Sequence, residues 1–168
     1  CLGINIGDTT NNWVGRLMRL WADQETSQAK AVELAEWFLT KSGISWLLWL
    51  LGNHDTMNPL MPHVLKAQNI KKIPMEEWEA KFKLVFPNKR EFRIHAAHDF
   101  PGSSMWNRVL HGPLRAAMMG SEADIYACGH KHCWGIHQEE NPDRESTFWL
   151  IRARGYEFID SYAKRLGH

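Results

Sequence analysis

The chain has 168 residues, 44% of them hydrophobic and 23% charged, with a formal net charge of +1. That length is one domain by the usual prior and is enough to bury a real core. The near-zero charge excludes a strong general attraction to nucleic acid or membrane, and the longest apolar run, Ile44 to Leu51, is far too short to span a bilayer.

The three cysteines are Cys1, Cys128 and Cys133. So sparse and odd a count argues against a disulfide framework and for a reducing compartment, so a cytoplasmic location is expected. No signal-peptide pattern opens the sequence. Nine tryptophans are many for this length, and several are expected half-buried around a cleft.

In chain order, Cys1 to Ile6 is apolar and β-prone and reads as a strand. It runs into the turn-type cluster Gly7-Asp8-Thr9-Thr10-Asn11-Asn12. From Thr26 to Thr40, Ala31, Val32, Leu34, Ala35, Phe38 and Leu39 recur at helical spacing, and Ser42-Gly43 breaks the pattern. The run Ile44 to Leu51 predicts a strand buried on both faces. Thr56 to Lys72, with Pro59 and Pro62, reads as loop. Pro74 to Phe86 is ambiguous, a short helix and then a strand. Glu91 to Ala97 reads as a strand. Trp106 to Met119 reads as a helix interrupted, or freshly started, near Pro113. Ala123 to Cys128 and Thr147 to Ala153 read as strands, and Tyr156 to Leu166 as a strand end followed by a short helix. Such alternation predicts an α/β layered fold.

Four strand-like runs each end in a polar, ligand-rich loop, carrying Asp8, Asn53-His54-Asp55, His98-Asp99 and His130-Lys131-His132. In open α/β sheets, sites gather beyond the carboxyl ends of strands. Asp, Asn and His offer oxygen and imidazole ligands suited to Zn, Mn or Fe. The main loops hold no thiolate cluster, so a closed structural zinc site is the weaker reading, even with Cys128 and Cys133 bracketing Gly129 to His132. Cys128 reads instead as a small apolar residue ending a buried strand.

His130 and His132 stand two apart in one loop, which could feed two neighbouring metals. The Asp8 carboxylate could bridge two cations, against the plainer reading as an Asx-turn or cap residue. His54 could give a proton to a leaving group, with Asp55 orienting it. His95 and His98 compete for one ligand role. His98 is favoured because it sits at the strand end, and His95 reads as a packed or surface residue. Lys81, Lys83, Lys89, Arg90 and Arg93 interleave with Phe82, Phe86 and Phe92, which suits a single-strand nucleic-acid groove. An amphipathic strand pair is the favoured reading of that stretch.

Together these residues resemble the calcineurin-like metallophosphoesterases, whose pattern runs D-x-H, G-D-x-x-D/N, G-N-H-D/E, a lone His after a strand, then G-H-x-H. Gly7-Asp8-Thr9-Thr10-Asn11 looks like the second block, and Gly52-Asn53-His54-Asp55 matches the third. His98 looks like the lone His, and Gly129-His130-Lys131-His132 matches the last. The resemblance implies a layered α/β β-sandwich flanked by helices. It implies a dinuclear centre in which Asp8 bridges two metals, Asn53, His98 and His130 complete one site, and His132 ligates the other. His54 would stand near the leaving oxygen. The implied activity is metal-dependent hydrolysis of a phosphate ester, by a phosphomonoesterase or by a phosphodiesterase or nuclease acting on nucleotides or nucleic acid.

The D-x-H block is absent, and no Asp-x-His triplet occurs in the sequence. The expectation is therefore a single domain over residues 1–168 that lacks its first strand at the N-terminus, with one nearly complete metal site. A binding or scaffold protein that keeps the fold without two-metal chemistry is the alternative.

Overall fold

The computed structural model describes residues 1–57, 59–120 and 122–155, which include every candidate site residue named above. The sequence expectation for Tyr156 to Leu166 lies outside them. The protein is mixed α/β, with one three-stranded and one five-stranded sheet. The chain divides into two compact units, the first running from Cys1 to Trp78 and the second beginning at Glu79.

In the first unit, β1 (Leu2–Asn5), β2 (Ser45–Leu51) and β3 (Met75–Glu77) form a parallel sheet in the order β1-β2-β3. The apolar run, interrupted only by Ser45, predicted a strand buried on both faces, and in β2 Trp49 and Leu50 are fully buried. Helix α1 (Gln28–Lys41) makes the crossover from β1 to β2. Ser27 caps it by accepting the Lys30 N–H on its hydroxyl. The short α2 (Asn53–Thr56) and then α3 (Leu60–Gln68) lead from β2 towards β3. Leu39, Trp49, Leu51, Met61 and Leu65 make the core of this unit.

Helix α3 corrects the loop expected from Thr56 to Lys72. Pro59 precedes the helix and Pro62 lies in its first turn, where a missing N–H costs no intrahelical bond. Met61 and Leu65, one turn apart, are wholly buried, and that burial outweighs the breaker signal of the prolines.

In the second unit, β4 (Glu79–Val85) and β5 (Glu91–Ala97) form an antiparallel pair. The ambiguous 74–86 stretch is thus strand on both sides of Trp78, with no helix. Exposed and half-buried residues alternate along β4, as in the amphipathic strand pair favoured from the sequence. After α4 (His111–Met119) come β6 (Ile125–Cys128), β7 (Gly135–Asn141) and β8 (Ser146–Arg152). The sheet order is β4-β5-β6-β8-β7, with β5, β6 and β8 parallel at its centre. Strand β7 was invisible in the sequence because it is an edge strand of mostly polar, exposed residues. Helix α4 begins at His111, two residues before Pro113, which again leaves the proline in a first turn. It approaches the chain closely at Gly112, where a Cβ would lie 2.2 Å from the Phe100 carbonyl oxygen. Cys128 is fully buried, and burial pushes its thiol up to about 11, which fits a packing role. Among the described residues, no helix is long and apolar enough to cross a membrane.

Asp124 joins β5 to the start of β6. Its carboxylate accepts the Arg93 backbone N–H at 2.7 Å and the Arg93 guanidinium at 2.8 Å. The guanidinium bond, with the backbone bond adding to it, holds the Asp124 carboxyl below its usual 3.8. A depressed carboxyl stabilises the fold above pH 3.8, and the contribution is lost as pH falls through the folded value. Because the Arg93 side chain is substantially solvated, Asp124→Asn should cost only about 1 kcal/mol at neutral pH. Urea titrations of both proteins should show that gap closing as the solution is acidified below pH 3.8; a pH-independent gap would refute the ionic origin.

Candidate metal centre

Asp8 lies in the left-handed backbone region, with φ of 53° after Gly7 at 94°. The Asn5 side chain supports this turn by accepting the Gly7 N–H and donating to the Thr9 hydroxyl, both at 3.1 Å. The loop after β2 locks onto it. Asp55 accepts the Thr9 N–H through one oxygen and the Gly52 N–H through the other, both at 2.9 Å. In return an Asp8 oxygen accepts the His54 N–H at 2.9 Å. Asp55 is fully buried, and burial raises its carboxyl pKa, reinforced by the charge of Asp8 and opposed by the N–H bonds.

The His54 ring is not oriented by Asp55, contrary to the sequence expectation. Its Nδ1 faces the Asn11 carbonyl oxygen. The two Asp55 oxygens are turned instead to the Gly52 N–H, three positions back in the motif, and to the Thr9 N–H in the other loop. A carbonyl can only accept, so Nδ1 carries the hydrogen and Nε2 is left for chemistry. Asn12 donates to the His54 carbonyl at 2.8 Å, and the Trp13 ring meets the imidazole edge-on with centroids 4.6 Å apart. Asn53 opens α2 and is half-buried.

In the second unit, His98 stands just past β5 and is almost fully buried. Its Nε2 lies 3.0 Å from Nδ1 of His130, in the turn after β6. The two loops are also joined by the Gly129 N–H, which donates to the His98 carbonyl at 3.0 Å. His130 and His132 do not sit on an extended segment. Both are left-handed, with φ of 66° and 50°. Their directions are therefore set by a turn rather than by an extended segment. The His132 ring lies beside Gly155.

His95 is a packed strand residue, as expected. Its ring meets Phe100 and Tyr126, and its Nε2 lies 3.3 Å from Glu79. Burial lowers its pKa. His111 is at the start of α4 beside Asn107.

The structure adds residues that the motifs did not disclose. Arg152, at the end of β8, has a fully buried guanidinium paired with Asp99 at 2.8 Å. Its sequence signal was a charge closing the apolar run Phe148 to Ile151, since Arg is rarely buried unless paired. Asn12, read only as a turn former, and Asn11, read as the end of the second block, prove to hold His54.

The His98–His130 pair fits a metal site. Two nitrogens bound at about 2.1 Å to one cation at right angles lie about 3.0 Å apart, and imidazole nitrogens are ligands for divalent transition metals. That spacing equally suits an N–H···N hydrogen bond. Searches against protein-family models and curated proteins find no match to this chain.

Asp55→Ala would leave the Gly52 and Thr9 N–H groups without their acceptor. A loss of about 2–4 kcal/mol is expected, read as a lower urea midpoint at unchanged slope; a loss within error would show that the loops hold without the carboxylate.

Proposed function

We propose that this chain is a metal-dependent phosphoesterase of the calcineurin-like kind. The observation that carries the reading is the 3.0 Å approach of His98 Nε2 to His130 Nδ1, two rings delivered by turns that follow different strands. The order of the four sequence blocks supports it. On this reading the mixed α/β chain has the layered architecture that the resemblance implies. By the resemblance, Asp8, Asn53, His98 and His130 would hold one cation of the Mn, Zn or Fe type, and His132 would ligate a second.

When bound, the metal supplies charge stabilisation at phosphorus and a water acidic enough to attack at neutral pH. The rest falls to the protein's own groups. His54, fixed through Nδ1 by Asn11, presents Nε2; in the imidazolium form that nitrogen gives a proton to the departing oxygen. Asp55 does not touch the ring and serves by holding the Asp8 and His54 loops together. Substrates are phosphate esters, including nucleotides and nucleic acid strands. A net charge of +1 argues against tight binding of long duplex DNA.

The test combines metal analysis with turnover of mono- and bis-nitrophenyl phosphate in Mn²⁺. His130→Ala and Asp8→Asn should lower the bound metal. His54→Ala should keep the metal and lose about 10²–10⁴-fold in turnover. A protein that binds metal and hydrolyses neither ester would overturn the enzyme reading in favour of a binding protein built on the same fold.

A further inference from the structure

We infer that Arg152 is the positioning residue of the histidine pair, a role that rests on the metal-centre reading above for its purpose but not for its geometry. Its guanidinium makes three bonds within the second unit. Nε donates to the Val109 carbonyl at 2.7 Å, and Nη1 donates to Asp99 at 2.8 Å and to the Gly129 carbonyl at 2.6 Å. Asp99 follows His98 in sequence, and Gly129 precedes His130. One buried cation thus grips the residue beside each imidazole.

The grip on Gly129 sets the direction of His130. The Gly129 carbonyl also accepts the Lys131 N–H at 2.9 Å, so both of its lone pairs are engaged. With that peptide plane fixed, the left-handed φ of 66° at His130 aims its Nδ1 at His98. The grip on Asp99 does the same for the other ring, by tying the turn after β5 to the end of β8. Lysine could not replace it. The three donors of an ammonium all sit on one nitrogen, whereas the planar guanidinium presents Nε to Val109 and Nη1 to Asp99 and Gly129 in a fixed fork. The space for that fork is kept open by Gly112, where a Cβ would come 3.1 Å from Nη2.

Ring-nitrogen NMR on the metal-free protein, with His98→Gln and His130→Gln for assignment, reads the positioning directly. The wild-type rings should each show one fixed tautomer. Arg152→Met, once shown to be folded by its amide spectrum, should show averaged ring nitrogens for both. Co²⁺ titration followed by visible absorption should show about 10–100-fold weaker binding in the same variant, the usual effect of losing a group that orients metal ligands. A purely structural arginine would lower the melting temperature and leave both ring spectra unchanged. That outcome in a folded variant overturns the inference. If Arg152→Met does not fold, Asp99→Asn removes one arm of the same clamp and is judged by the same spectra. If wild-type protein binds no Co²⁺, the metal reading fails, and the ring spectra still decide the role of Arg152.

Discussion

In each unit the candidate ligands stand on backbone turns that the chain would not adopt unaided. Asp8, His130 and His132 all have positive φ. For residues with a side chain that conformation costs about 1–2 kcal/mol each. The turns persist because buried charges over-determine them, Asp55 in the first unit and Arg152 in the second. Strain of this kind is tolerated where surrounding bonds enforce it, and such places are often functional.

The two anchors solve one problem with opposite charges. Where a strand ends, its next backbone groups lose their ladder partners and must be satisfied in some other way. Past β2 the unmet group is the Gly52 N–H, and an anion collects it together with the Thr9 N–H. Past β6 it is the Gly129 carbonyl, and a cation collects it together with the Val109 carbonyl. Each anchor is nearly or wholly buried, so its own desolvation must be offset. Arg152 is offset by the ion pair with Asp99, and removing one partner of such a pair typically costs about 3–5 kcal/mol. Among the described residues Asp55 has no cationic partner and relies on N–H donors, which is why burial still raises its pKa.

This arrangement separates two kinds of work that the motifs run together. In Gly52-Asn53-His54-Asp55, His54 offers a ring nitrogen for chemistry, whereas Asp55 is spent on the backbone. In the turn after β6, His130 meets His98, while Lys131 reaches the Gly102 carbonyl at 2.9 Å and ties down the loop that follows His98. Side chains adjacent in sequence thus divide between contact with the site and support of the turn.

The sequence by itself determined the strands that have strong local signals: β1, β2, β5, β6 and β8, together with α1. It also placed the candidate ligands in the loops after them. Those features follow from hydrophobic runs and breakers, which are local. It preferred His98 to His95 on strand position alone, and the packing of His95 between Phe100 and Tyr126 agrees. The prolines hid α3, because a first-turn proline and a loop proline look alike until the burial of Met61 and Leu65 is known. Only the tertiary structure decided that His54 leans on Asn11, that the His130 turn is left-handed, and that Arg152 ties the turns after β5 and β6 to β8. Those outcomes rest on bonds between residues 23 to 53 positions apart, and no local pattern in a single sequence encodes which distant donor will find which acceptor.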